Sequence, residues 1–438
     1  MKIIIPRTVI KELVLRHVQR FHLASSLEPN AGGKKYVGKG TASRTLKYLL
    51  HPSGVFPITH SLDEQFTSGQ LEDSKMPCFQ VMTHKWQVAK EAKECAVEPS
   101  MLLRIYKAMV QVRKIDETFY QAQRQGRIPF YLDCRGEEAS VVASAAALNP
   151  CDTVFSQYRE HGVLFWRGFS AQDMAYQCLG REKDNGKGRQ MPMHYGDKSK
   201  NCHTVSSPLA TQLPHAVGYA YTRKLEQDGS VVACYFGEGA ASEGDFHAAM
   251  NFAATLECPV IFICRNNGWA ISTPVKEQFR GDGVAARGFG YGIKSLRVDG
   301  GDAHAVYVAT AKAREYVRRN LSPVLLELMA YRMGHHSTSD DARRYVPYQI
   351  QMDSEASDPL KRLKNNLVGC GALTETQSSK MEEEATMQAR RALATAEIEA
   401  APPLESMFED VYDVVLPHLI KQRQEAIKDA DHKALSCE

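Results

Sequence analysis

Two short segments of this 438-residue sequence carry side chains that could hold a metal and an anion together. Gly237-Glu238-Gly239 follows the apolar run VVACYF and precedes a helical pattern. Its backbone N–H groups and the helix dipole can therefore face a phosphate. Taken alone, the same three residues are equally a plain tight turn. Asn266-Asn267 follows the next apolar run, PVIFIC, and the 26 residues between Gly239 and Asn266 are the length of one helix plus one strand. Neighbouring strand ends then present a carboxylate and a carboxamide to one point. Hard oxygen donors of this kind suit Mg2+, which is octahedral, keeps water and normally shares its shell with phosphate oxygens. A metal-bound diphosphate is the guest that fits the pair.

Such residues need a scaffold that ends several strands at one edge. From about residue 139 helical patterns alternate with short β-type runs: TVFSQY, VVACYF, PVIFIC, KSLRVDG and PVLLELMAY, with helices near 171–179, 242–256 and 303–319. This predicts an α/β fold, a mostly parallel sheet with helices on both faces. Ligands of such sheets sit beyond the strand C-termini, which here read YREHG, GEGAASEG, RNNGWAIS and RMGHHSTSDD. Pro99 opens an amphipathic helix in which Leu102, Ile105, Met109, Val112 and Phe119 recur at three and four, ending at Gly126. Four segments follow: 1–45 as presequence and flexible linker, 46–98 as an irregular extension without chemistry, 99–350 as the ligand-binding α/β domain, and 351–438 as a helical extension. The last is read as helical at about 376–398 and 404–430, with Pro402 and Pro403 between.

Gly-acid-Gly followed one helix and strand later by Asn-Asn resembles the thiamine diphosphate fingerprint. The blocks QRQGRI, FSQYREHGVL, GKGRQMPMHYG, SSPLATQ, CYFGEGAASEGD, NFAATLECP, CRNNGWAISTP, GDGVAARG, YGIKSLRVDG and YRMGHHSTSDDARRY are similar to the alpha-subunit family of branched-chain 2-oxoacid dehydrogenases, from about residue 100 to 345. The resemblance implies Mg2+ on Glu238, Asn267 and the backbone carbonyl of Trp269, where the family usually has tyrosine. It implies a diphosphate held by Arg159 and Arg265, with Gln157, Tyr158, Ser207, Leu209, Gly237, Gly239 and Ala240 around the cofactor. SSPLATQ resembles the family's K+ loop, with Ser206, Pro208, Thr211 and Gln212 as ligands; as plain sequence it is a helix N-cap followed by proline.

By the same resemblance His336 contacts the cofactor and assists acyl transfer, and Ser337 matches an inhibitory phosphorylation serine. The family's second such serine falls on Pro347. The polar run after Ser337 has little apolar anchoring, so it is expected to be ordered chiefly by ligand contacts and disordered by a dianion. The partners implied are a beta subunit in an α2β2 heterotetramer, the lipoyl domain and core of a dihydrolipoyl acyltransferase, and a regulatory kinase and phosphatase. Pyruvate dehydrogenase alpha subunits typically read GDGAANQG, ENN and HGHSMSDPG at the corresponding blocks, so GEGAASEG, RNN and GHHSTSDD favour the branched-chain family. A silent homologue would not need Glu238, Asn267, Arg159 and His336 intact, and no GxGxxG follows a strand as an NAD-binding fold requires.

Composition excludes other classes. Lysine and arginine total 54 against 51 acids, which gives no basic field for nucleic acid. Eleven cysteines without a CxxC pair fit reduced thiols. The longest apolar runs, 231–236 and 259–264, are about a third of the roughly 20 residues a membrane helix needs. The first 26 residues carry Lys2, Arg7, Lys11, Arg16 and Arg20 against the single acid Glu12, a pattern that resembles a mitochondrial presequence and places the protein in the matrix.

Overall fold

The apolar runs assemble into one sheet in the computed structural model, which describes residues 48–62 and 75–435. Its strands are β1 (Tyr48–His51), β2 (Gly54–Thr59), β3 (Cys78–Phe79), β4 (Thr153–Phe155), β5 (Val232–Gly237), β6 (Val260–Asn266), β7 (Lys294–Asp299) and β8 (Val324–Met329). They lie in the order β1-β2-β3-β7-β8-β6-β5-β4, all parallel except the antiparallel β1. Register aligns the ends that matter: Gly237 pairs with Arg265, and Asn266 with Met329.

Strand periodicity divides two cores. Val231, Ala233, Tyr235, Ile261, Ile263, Leu326 and Leu328 face one, and Val232, Cys234, Phe236, Phe262, Cys264 and Leu325 face the other. Both sets are buried, so the strands read as continuous apolar runs rather than alternating ones. The first core packs against α1 (Pro99–Arg124), α2 (Glu138–Ala146) and α3 (Ala171–Cys178), and the second against α4 (Gln212–Glu226) and α5 (Gly244–Thr255). Helix α6 (Ala303–Asn320) returns to the first.

Helix α1 buries the expected stripe, with Leu102, Ile105, Met109, Val112 and Phe119 all enclosed, and stops just before Gly126 at φ 76°. Helices α7 (Pro359–Gly369) and α8 (Glu375–Glu397) join the same core through Leu363, Leu367, Ala389 and Leu393. Thr374 and Gln377 form a capping box that starts α8 where the 376–398 expectation put it. The 404–430 expectation holds only in part. A single 3-10 turn covers Leu404–Phe408, and a true helix, α9, spans Pro417–Leu435. Pro417 supplies the rigid first position of that helix.

The reading of 46–98 as an irregular extension needs correction, because β1, β2 and β3 complete the sheet edge and Phe56 and Cys78 pack on Met329. The presequence and linker expected at 1–45 lie outside the described residues. No helix among the described residues is long and apolar enough to cross a membrane. The ten cysteines described are free.

At the end of β6 the strand alternation sends two identical side chains opposite ways. Asn266 turns to the buried Glu327 of β8, donating from Nδ2 at 2.8 Å, and accepts from the Gly268 N–H at 3.0 Å. Glu327 also accepts from Arg297 Nε at 3.0 Å and from the N–H groups of Val284 and Ala285. Asn267 faces away, into the cavity described next.

Candidate active site

Beyond the C-terminal ends of β4, β5, β6 and β8 lies a cavity of about 390 Å3. Its wall takes Gln157, Tyr158 and Arg159 from behind β4, and Gly237, Glu238, Gly239 and Ala240 from behind β5. Arg265, Asn267 and Trp269 come from the end of β6, Ser207 and Leu209 from the loop before α4, and His336 from behind β8. Every residue expected at the diphosphate or at Mg2+ is therefore on one wall. Strand β4 stops at Phe155, shorter than TVFSQY, because Gln157–Arg159 leave the sheet to line the cavity.

Glu238 is 2% exposed, and its Oε1 has no hydrogen-bond partner. Burial pushes its carboxyl up to about 7, and the nearby Glu137 carboxylate adds to the rise. A buried carboxylate oxygen without a donor is costly unless a cation faces it. Asn267 Oδ1 accepts from the Trp269 N–H at 3.2 Å. Gly268, at φ 85°, makes the turn between them, where a Cβ would approach Pro52 to 2.5 Å. The Trp269 carbonyl accepts from Arg332 at 3.4 Å. The donor set is all oxygen, one of them anionic and orphaned, and it fits a hard divalent cation.

Both expected arginines line the cavity, each with partners of its own. Arg265 is buried with its guanidinium between Glu137 and Glu160, both fully enclosed. Two carboxylates thus balance its charge in place. Arg159 donates to the Asp133 and His336 carbonyls. Arg332, which lies in the quoted block YRMGHHSTSDD without a role assigned, donates to Ile271 O at 2.8 Å and Tyr345 Oη at 2.9 Å. Glu137, Glu160 and His194, which bonds Ser207 Oγ, were also missed. The only sequence signal for Glu137 was an acidic pair heading the apolar segment ASVVASAAAL, where burial demands a partner.

His336 sits between two guanidinium groups, with Nδ1 at 3.3 Å from Arg159 Nη2 and 3.4 Å from Arg332 Nη1. Donors on that side make Nδ1 the acceptor and leave the proton on Nε2. Burial pushes the imidazole down to about 3, helped by both arginines. A folded-state value so far below the ordinary one keeps the ring neutral through the physiological range. The His336 ring resonances of the cofactor-free protein are therefore expected to stay fixed between pH 5 and 8, and an inflection near 6.5 by NMR titration would contradict the geometry.

Of the residues expected at K+, Ser206, Pro208 and Thr211 meet in the loop before α4. Thr211 Oγ1 donates to Ser206 Oγ at 3.0 Å and Pro208 O at 3.1 Å, and Gln212 donates to Tyr235 O while its buried Oε1 has no partner. That orphaned oxygen suits a monovalent cation. Ser337 is 9% exposed, with its Oγ 3.2 Å from Ser339 Oγ. Its loop is tied by hydrogen bonds within the chain: Thr338 N–H to Tyr131 O, Arg124 to Thr338 O, and the His336 N–H and Tyr345 hydroxyl to Asp340. Beside the ligand contacts expected to order it, the loop thus has long-range polar partners within the chain.

Parallel strands ending in a Gly-acid-Gly turn and an Asn-Asn pair define the class, and the matching family is the dehydrogenase E1 component, over residues 106–405. The chain belongs to that family. Among its relatives is the mitochondrial 2-oxoisovalerate dehydrogenase subunit alpha 2 of Arabidopsis thaliana, 46% identical over 85% of this chain and 78% of that protein. The mitochondrial 2-oxoisovalerate dehydrogenase alpha subunits of Dictyostelium discoideum and Homo sapiens are each 47% identical, over 84% and 80% of this chain and 85% and 79% of theirs.

Proposed function

We propose that this chain is the cofactor-anchoring alpha subunit of a mitochondrial branched-chain 2-oxoacid dehydrogenase, which decarboxylates the oxoacid and passes the acyl group to a lipoyl domain. The observation that carries the reading is the convergence of Glu238, Asn267, Arg159 and His336 on one cavity at the strand ends. The identity to 2-oxoisovalerate dehydrogenase alpha subunits supports the substrate class. Thiamine diphosphate, when bound, supplies the carbanion that attacks the 2-oxo carbon and the sink for electrons left by CO2.

This chain's residues bind and orient. Glu238, Asn267 and the Trp269 carbonyl would hold Mg2+, and Arg159 with Arg332 would balance the diphosphate charge at a planar, permanently charged fork. Ser206, Pro208, Thr211 and Gln212 would hold K+ and with it the loop that carries Ser207 and Leu209. His336, neutral and protonated on Nε2, would donate a hydrogen bond from Nε2 at the acyl-transfer step. A beta subunit in an α2β2 assembly would close the rest of the site, and an acyltransferase core would receive the product in the matrix.

The test is turnover of the assembled α/β complex with 2-oxoisovalerate, 2-oxoisocaproate and pyruvate. Preference for pyruvate would overturn the substrate class. A kinase and phosphatase acting on Ser337 complete the proposal, since a phosphate cannot occupy a position 9% exposed without moving the loop that holds His336. Ser337→Glu should lower turnover by about 10-fold or more and speed proteolysis of the loop. Ser337→Ala should do neither, and an active, uncleaved glutamate variant would count against the switch.

A further inference from the structure

We infer that Glu137 is the positioning residue that presents the oxygen of Asn267, and not its nitrogen, to the metal. The inference rests on the cation site proposed above. Carboxamide oxygen and nitrogen are nearly the same size, and only the oxygen can bind a cation, so something must fix which one faces the cavity. Two neighbours do. Glu137 Oε1 lies 3.0 Å from Asn267 Nδ2, and a carboxylate can only accept, so the group facing it is the NH2. The Trp269 N–H lies 3.2 Å from Asn267 Oδ1, and an amide N–H can only donate, so the group facing it is the oxygen. Both dictate one orientation.

Glu137 is itself fixed more firmly than a surface acid could be. It is fully buried, its Oε2 accepts from Arg265, and Arg159 Nε is 3.9 Å from Oε1. Its own N–H donates to the Cys134 carbonyl at 2.8 Å. The preceding Gly136, at φ 92°, lets the chain pass where a Cβ would lie 2.2 Å from Tyr331 O, directly behind β8. The carboxylate is thereby pinned under the strand ends, with one oxygen for the arginine and one for the asparagine.

That division makes the isosteric Glu137→Gln a sharp variant. A single oxygen must then serve two donors, and the charged guanidinium competes better for it. The NH2 of the substituted carboxamide would face Asn267 and turn the Asn267 nitrogen toward the cation. Partners behind a metal ligand typically set metal affinity by about 10–100-fold. At fixed thiamine diphosphate, the half-saturating Mg2+ concentration of the α/β complex, read by calorimetric cofactor binding, should rise about 10-fold in Glu137→Gln. In Glu137→Leu, which removes both acceptors, it should rise about 100-fold. Asp358→Asn is the control for a merely structural loss. Asp358 is also buried but pairs with Arg113, so its variant should lower the melting temperature and leave the Mg2+ requirement unchanged. If Glu137→Leu does not assemble, Glu137→Gln carries the test alone. A folded Glu137→Gln complex with the wild-type Mg2+ requirement would overturn the inference. A wild-type complex that binds the cofactor without Mg2+ would instead overturn the metal reading beneath it, and this inference with it.

Discussion

Glu238→Ala is expected to weaken Mg2+-dependent thiamine diphosphate binding by at least about 100-fold while leaving the assembled complex folded. The magnitude follows from the cost of stripping one charge from a buried, paired site, about 3–5 kcal/mol, where 1.4 kcal/mol is tenfold. Its carboxylate is the charged member of the oxygen set, and one of its oxygens is already without a partner. Removing it takes away the counter-charge that draws a divalent ion into a wall containing Arg159 and Arg332. Folding should tolerate the change, because the alanine variant also relieves an unpaired buried atom. Calorimetry on the variant complex across a Mg2+ series is the measurement, and wild-type affinity there would remove Glu238 from the metal site.

The second large effect is on stability. Glu327→Ala should destabilise the fold by about 3–5 kcal/mol, because it leaves Arg297 buried without its main partner and strips acceptors from Asn266, Val284 and Ala285. The melting temperature of the complex should drop by about 5 °C or more. Burial alone would push the Glu327 carboxyl up, but Arg297 and the donors around it hold it below its usual range. Its contribution is therefore present above the unfolded carboxylate value and lost as pH falls through the folded one. Wild type and Glu327→Gln should differ most at neutral pH and draw together as pH falls below the ordinary carboxylate range, and a gap that stays constant from neutral pH into acid would refute the ion pair as its source.

The central sheet was legible because burial on both faces writes a strand as an unbroken apolar run, as in PVIFIC and PVLLELMAY. Strands β1 to β3 were not. They are held by the pairing of β3 with β7 and by His51 of β1, whose ring nitrogen meets the carbonyls of Asn266 and Ala330. Two-residue β3 leaves no periodicity to read. At the site, strand ends announced Glu238 and Asn267 through fixed spacing, and His336 through the family resemblance. Glu137 and Glu160 reach Arg265 from sequence positions more than 100 residues away, and no local pattern encodes such a pairing. Arg265 was therefore read for the diphosphate without the two carboxylates that pair with it.

The neighbouring asparagines at the end of β6 bear on how variants of this protein should be interpreted. Asn266 belongs to the architecture and Asn267 to the chemistry, although they share composition, polarity and address. Replacing the first should surface in a melting curve with the ligand wall intact. Replacing the second should be quiet in a folding assay and loud in a cofactor assay. A variant screen scored on abundance alone would pass over one of the two, and one scored on turnover alone would report both as the same defect.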